Sequence, residues 1–284
     1  MPPESASVGT RHRANRVFLV MVWISGIVGI LIPSGIVLYL LAHGEKLLDP
    51  SFLLGRPRGT PLGSAGGILP AIAGSFSLVC LGLVVALPLA IGGALYLSEF
   101  IRSERATRGA RLLIESLAAI PSIIYGLFGY AFFVVLLRMG VSLGAGGLVL
   151  AIVMFPIVLI TAQEAFDAVP RDYREAALAL GVDRWVWIRR VLFPKAWTRI
   201  LAGVVLAVGH AVGSAAPVLF TAAVFFSAGS LQLDRPVMTL PTHLYFLVSE
   251  AVSFPNAYGT ASALVVGLFL FNAAAMALRH MGQE

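Results

Sequence analysis

Two groups of polar side chains interrupt this otherwise oily 284-residue sequence in ways that could do chemistry. His210 and Ser214 stand four positions apart in Gly209-His-Ala-Val-Gly-Ser-Ala-Ala-Pro217. On a helix they are i, i+4 neighbours on one face. They form a neutral-capable pair of hydrogen-bonding groups. Their role is either packing within the protein or lining a path for a solute. The second group is Glu175-Ala-Ala-Leu-Ala-Leu-Gly181 followed by Val191-Leu-Phe-Pro194, a charged island suited to docking.

Lesser candidates are scattered. Ser122 and Tyr125 flank Pro121, where they can bond backbone groups freed by its ring or line a path. Arg111 and Glu115 have i, i+4 spacing for an ion pair. His243 and Glu250 fall in a connection between apolar runs and are expected on a solvated face. Cys80 lies within an apolar run and is expected to be a small buried hydrophobe. As the single cysteine it has no intramolecular disulfide partner, and no Cys/His spacing suits a metal. These isolated groups do not make a catalytic constellation such as paired carboxylates.

A P-loop requires Gly-Lys-Ser/Thr after a glycine-rich turn. The two lysines, Lys46 and Lys195, follow Glu45 and Pro194. The chain therefore has no P-loop to hold a nucleotide, and any ATP-driven work requires a partner. The expectation is no cofactor in this chain, with ATP-Mg bound by a partner ATPase.

The elements that must position these residues follow from composition. Hydrophobic residues make up 58% and charged residues 12%, with a mean hydropathy of +0.91. Soluble domains carry about a quarter charged residues, so the chain is an integral membrane protein. A pI near 9.9 could suggest nucleic acid, but the basic residues sit in connections, where they set membrane orientation.

Six apolar segments can be read at 17–42, 67–97, 112–137, 144–163, 200–227 and 256–278. Each is long enough for a hydrocarbon core about 30 Å thick. Their continuous apolar character argues against alternating strands and for helices. Pro33, Pro88, Pro121, Pro156 and Pro217 read as kinks or breaks. Arg11, Arg13 and Arg16 before the first segment resemble a signal-peptide start, but the apolar run is long and reads as an uncleaved span. Residues 1–10 are expected to be unstructured, within a tail covering 1–16.

Fifteen of the twenty Lys and Arg residues fall on the side holding the N-terminus, including Arg102, Arg105, Arg108, Arg111 and seven in the 164–199 connection. The other five are Lys46, Arg56, Arg58, Arg138 and Arg235. The positive-inside rule then places both termini and that connection in the cytoplasm.

Within 166–198 two short amphipathic helices are expected. Asp172 can cap the first, with Glu175 at capping-box spacing. Tyr173, Ala176, Ala177 and Leu180 form one stripe, and Gly181 supplies the left-handed turn that ends the helix. Asp183 can cap the second, whose stripe is Trp185, Ile188 and Leu192, and Pro194 is expected to stop it. The small-residue stripe fits a partner groove; alternatively the loop packs on its own bundle, with Trp185 and Trp187 at headgroup level.

The spacing of Glu175, Ala176, Ala177, Gly181, Val191, Phe193 and Pro194 resembles the EAA loop of ABC-importer permeases. Further stretches are similar to permeases of phosphate importers: Gly66-Gly-Ile-Leu-Pro70, Pro121-Ser-Ile-Ile-Tyr-Gly-Leu-Phe-Gly129, Val169-Pro-Arg-Asp-Tyr-Arg-Glu-Ala176, Ala216-Pro-Val-Leu-Phe-Thr-Ala222 and Leu240-Pro-Thr-His-Leu-Tyr245. The resemblance spans roughly residues 66–279. It implies an all-α integral membrane fold of ABC transmembrane type-1 architecture, with a permease domain over 67–279 and a cytoplasmic coupling helix. It also implies Glu175, Ala176, Ala177, Gly181 and Pro194 as the coupling residues. The implied partners are a homologous (PstC-like) permease subunit, two ATPase subunits and a periplasmic or extracellular substrate-binding protein.

One departure stands out. Where that family usually reads Gly-Arg-Ala-x-Gly-Glu-Thr-Ala-Pro, this chain has His210 and Ser214 in place of Arg and Glu. Losing both charges together leaves neither unpaired, but it removes a fixed positive charge that could meet an anion. Gly209 and Gly213 offer a small-xxx-small face for close helix packing. The function implied is inroad to the cell for inorganic phosphate by alternating access, with His210, Ser214, Ser122 and Tyr125 as pathway candidates. Another oxyanion or a phosphonate is the alternative cargo. A stand-alone secondary transporter is the alternative class, although membrane-buried Asp or Glu would be expected there.

Overall fold

The computed structural model describes residues 8–44, 49–101, 103–225 and 232–281. Lys46 and Arg102 lie outside the described residues, as do the side chains of Arg11, Arg13 and Arg279. Helix α1 (Val8–Gly44) starts inside the stretch expected to be unstructured, while residues 1–7 lie outside the description. A short helix α2 (Pro50–Leu54) and a two-stranded hairpin, β1 (Pro57–Arg58) with β2 (Ala65–Gly66), lead into α3 (Leu69–Leu95). Next come α4 (Glu104–Ala118), α5 (Ser122–Gly129) and α6 (Leu143–Asp167). Two short helices, α7 (Arg171–Ala179) and α8 (Arg184–Trp187), precede α9 (Phe193–Gly213) and α10 (Ala215–Thr221). Helices α11 (Leu240–Ser249) and α12 (Phe254–Met281) complete the order.

Five of these stretches are long and apolar enough to cross a membrane, and a sixth exists if the bent pair α4–α5 counts as one span. The pair turns by 88° between Glu104–Ala118 and Ser122–Leu136, so the third expected segment is an elbow rather than a rod. Pro121 explains it: a proline lacks the N–H and its ring collides with the carbonyl four residues back, here Leu117. The fifth segment also differs from one continuous 200–227 span. It stops at Gly213, and α10 restarts after Ser214, whose backbone is extended (φ −84°, ψ 96°). The same steric rule applies, because Pro217 stands four residues after Gly213. By contrast Pro33, Pro88 and Pro156 lie inside unbroken helices.

Helix α6 is the centre of the bundle, with 72% of its most apolar stretch buried. It packs most extensively on α3 and then on α9, and it touches α4, α5 and α10. In lipid, close packing rather than water exclusion holds helices together, so small residues mark the tightest approaches. Gly147 of α6 is one: any Cβ there would overlap the side chain of Leu81 of α3. Ser142 fixes the start of α6, its hydroxyl accepting the Ala145 N–H at 3.2 Å. Helix α1 is the opposite of α6. Its apolar stretch has no buried residue, and its packing partner is α12.

Candidate functional site

The charged island forms a helix, but its N-terminus is not built as a capping box. Helix α7 begins after Pro170, one residue before Asp172, with no side-chain cap. Asp172 instead sits in the first turn, where its charge faces the positive end of the helix dipole. The C-terminus is built as the spacing predicts. Gly181 has φ +67°, its N–H bonds the Leu178 carbonyl at 3.0 Å, and the Val182 N–H bonds the Ala177 carbonyl at 2.9 Å. This double bond is the Schellman closure that a left-handed glycine permits.

Asp183 caps α8, accepting the Trp185 N–H at 2.9 Å. The expected stripe of Trp185, Ile188 and Leu192 is partly wrong. Ile188 and Leu192 are buried, but Trp185 is 62% exposed and Trp187 takes the inner position. The backbone from Ile188 to Leu192 is a π turn, whose wider step rotates the buried face. Pro194 does not stop this helix either. It falls in the first turn of α9, directly after the π turn, and Arg184–Gly213 runs as one apolar stretch. At the start of α9 the proline lacks an N–H that the first turn does not need, so the run continues through it.

No residue of α7 is buried. Glu175 and Ala176 are exposed, Ala177 is half-buried, and Leu180 is 81% exposed. Tyr173, Ala176 and Leu180 thus present an open stripe away from the bundle. The Lys195 ammonium lies 4.3 Å from the centre of the Tyr173 ring, so the start of α9 braces α7 from one side.

Sequence reasoning missed Glu99. It lies in a π turn, Tyr96–Phe100, that extends α3, and its side chain is buried under α7. Arg174 of α7 approaches its Oε2 at 3.3 Å. Arg184 of α8 donates to its backbone carbonyl at 2.8 Å and lies 4.6 Å from the centre of the Phe100 ring. Beside it, the Ser98 hydroxyl donates to Asp167 Oδ1 at 2.6 Å, joining the ends of α3 and α6. One signal was available: Glu99 is the only acid between Asp49 and Glu104, at the end of a long apolar run.

The pathway candidates do not form one cluster. His210, Ser122 and Tyr125 line a common cavity of about 60 Å³ with Pro156, inside the α4–α5 elbow. Ser214 instead borders a cavity of about 10 Å³ that Ser75 and Thr239 share. Its hydroxyl donates to the backbone carbonyl of His210 at 2.7 Å. The side-by-side pair expected on one helix face is therefore absent, because α9 ends between them. Gly209 and Gly213 are also open, with nothing within 4 Å of a Cβ placed there, so they make no close helix contact within this chain.

Two other expectations resolve. Arg111 and Glu115 pair at 2.8 Å, and Arg111 also reaches Glu164 of α6 at 3.7 Å. Glu250 is exposed, but His243 is not on a solvated face. It is 3% exposed, and its Nδ1 lies 3.2 Å from the Thr260 hydroxyl. Burial in α11, outside the spanning stretches, pushes its pKa down to about 4.

A multi-span helical bundle with an exposed two-helix loop at one end defines the class: a polytopic helical membrane protein. Residues 79–281 match the profile of the binding-protein-dependent transport system inner membrane component family, and the chain belongs to that family. It is similar to the probable ABC transporter permease protein YqgI of Bacillus subtilis, 31% identical over 87% of this chain and 88% of that one. It is also 33% identical to the phosphate transport system permease protein PstA of Haemophilus influenzae, over 92% of this chain and 91% of the relative.

Solved structures agree on the fold. A chain of the inward-facing MetNI methionine ABC transporter superposes with a TM-score of 0.59 at 19% identity, over 76% of this chain and 94% of that one. A chain of a bacterial alginate ABC transporter gives 0.64 at 14% identity, over 94% and 95%. The architecture is that of type-1 ABC-importer permeases, and the chain is a multi-pass membrane protein.

Proposed function

We propose that this chain is the permease subunit of an ATP-driven importer of inorganic phosphate. The observation that carries the cargo is the 33% identity to a phosphate permease over almost the whole chain. The open stripe of α7 supports the drive: Glu175, Ala176, Ala177 and the Gly181 closure, with Pro194 shaping the segment behind them, seat the loop in a separate ATPase that binds ATP-Mg. This chain contributes no ATPase site of its own. It works beside a homologous permease, two ATPase subunits and a substrate-binding protein outside. Both termini and α7 face the cytoplasm in this reading, which the fifteen-to-five division of basic residues supports.

Transport follows alternating access. The loaded binding protein docks outside, the ATPases close on ATP, and the movement enters the bundle through α7 and α8. His210, Ser122 and Tyr125 border the path at the elbow, and His210 with Ser214 stands where the resemblance implies a charged pair. That departure favours a second cargo, another oxyanion or a phosphonate. Reconstituted complex tested with phosphate, arsenate, sulfate and phosphonates separates the two. Stimulation of ATP hydrolysis and uptake by phosphate supports the first; stimulation by another anion without phosphate sinks it. His210→Ala is expected to change the pH profile or anion preference of uptake, and an unchanged profile in an assembled complex removes His210 from the path.

A further inference from the structure

We propose that Glu99 is the positioning residue that ties the coupling segment to α3, so that movement of α7 is passed directly into that span. The inference rests on the permease reading and deepens it. Among the described residues Glu99 is the only buried Asp, Glu, Lys or Arg. It is held from two sides of the Gly181 turn. Arg174, before the turn, pairs with its carboxylate, and Arg184, after the turn, bonds its backbone carbonyl. One residue at the end of α3 thus receives both arms of the coupling segment.

Apolar packing from α7 is slight, limited to the half-buried Ala177 against the core. Helix α7 buries no residue, and cavities of about 390 and 380 Å³ flank the carboxylate, both lined by Glu99, Ser98, Arg174 and Trp187. Glu99 Oε2 and Trp187 Nε1 have no hydrogen-bond partner. Arg174 reaches the carboxylate at ion-pair distance without hydrogen-bond alignment. The contact between α7 and α3 is therefore largely electrostatic and loosely surrounded. A buried charge stripped of its partner is strongly disfavoured, so displacing Arg174 obliges Glu99 to follow. Glu99 belongs to a helical run that extends without interruption from Leu69 to Phe100. A push on the open face of α7 is delivered to that run at its end, in addition to the route through the covalent junction of α8 and α9.

The test uses the complete complex in liposomes, with binding protein on the face opposite the ATPases and uptake and ATP hydrolysis read in the same sample. Glu99→Gln keeps shape and removes charge. Anion moved per ATP is expected to fall about tenfold, within the range typical of coupling between sites, while hydrolysis persists. The exchanged pair Glu99→Arg with Arg174→Glu is expected to recover part of that ratio. An unchanged ratio in Glu99→Gln, or equal loss of uptake and hydrolysis, overturns the proposal. Should Glu99→Gln fail to assemble, Glu99→Asp and Arg174→Lys keep the charges and alter only their reach. A lowered ratio in these supports the tie, and a normal one overturns it. The cargo used is whichever anion the unaltered complex imports. If the unaltered complex imports none, the permease reading fails before any variant is compared, and the inference falls with it.

Discussion

The Tyr125 hydroxyl donates to the Leu117 carbonyl at 2.6 Å, across the break between α4 and α5. Leu117 is the residue whose carbonyl Pro121 displaces, so the phenol supplies a partner that the proline ring removes. The elbow is held by a side chain placed one turn beyond its own breaker. Tyr125→Phe is expected to destabilise the bundle by about 1 kcal/mol, the usual net value of one hydrogen bond. Thermal unfolding of the purified chain in detergent measures it, and an unchanged midpoint would show that the elbow does not depend on the Tyr125 hydroxyl, the Ile120 N–H at 3.1 Å sufficing for the Leu117 carbonyl.

The φ of +67° at Gly181 makes a graded prediction. Nothing lies within 4 Å of a Cβ placed there, so a substitution is resisted by backbone conformation and not by crowding. Gly181→Ala should cost about 1–2 kcal/mol of local helix closure, and Gly181→Asn less, because asparagine tolerates the left-handed region. Transport assays should rank glycine above asparagine, asparagine above alanine, and alanine above valine. A ranking by side-chain volume would point to a contact made only in the assembled complex.

Ala176 is exposed in this chain, so enlarging it disturbs nothing within the bundle. Ala176→Trp is expected to leave expression and unfolding temperature within about 0.5 kcal/mol equivalents of the parent, as surface substitutions do. Co-purification of the ATPase should nevertheless drop steeply. Normal recovery of ATPase would remove the α7 stripe from the docking surface.

His243 gives a pH dependence with a definite sign. Its ordinary pKa is 6.5, and burial lowers the folded value to about 4. Above pH 6.5 both states are neutral and the group contributes no slope. As pH falls from 6.5 towards 4 the unfolded chain takes up the proton and the folded chain does not, so stability is lost. The full loss is on the order of 3 kcal/mol, at 1.36 kcal/mol for each unit. Unfolding temperatures of the parent and His243→Gln between pH 7.5 and 4.5 measure it; parallel curves would show that other groups set the slope.

The long helices were legible because a hydrocarbon core demands continuous apolar runs, and six such runs stood in the sequence. The breaks were harder to place. Pro121, Pro156 and Pro217 look alike in sequence, yet Pro156 sits in an unbroken helix packed on nearly every side, while the other two separate helices. What decides between them is the surrounding structure, not the residue. The same holds for His210 and Ser214, whose spacing implied a pair only if α9 continued through both. The turn at Gly181 was readable because a left-handed closure has a local residue requirement. Glu99 was not, because its partner Arg184 is 85 positions away and only folding brings them together.

The burial of α6 has a mechanical corollary. A helix touched by α3, α4, α5, α9 and α10 at once cannot bend without displacing all of them, and packed interiors yield little. Within the bundle α6 is therefore the axle, and the places where its neighbours can turn about it are their breaks: the elbow after Ala118 and the gap at Ser214.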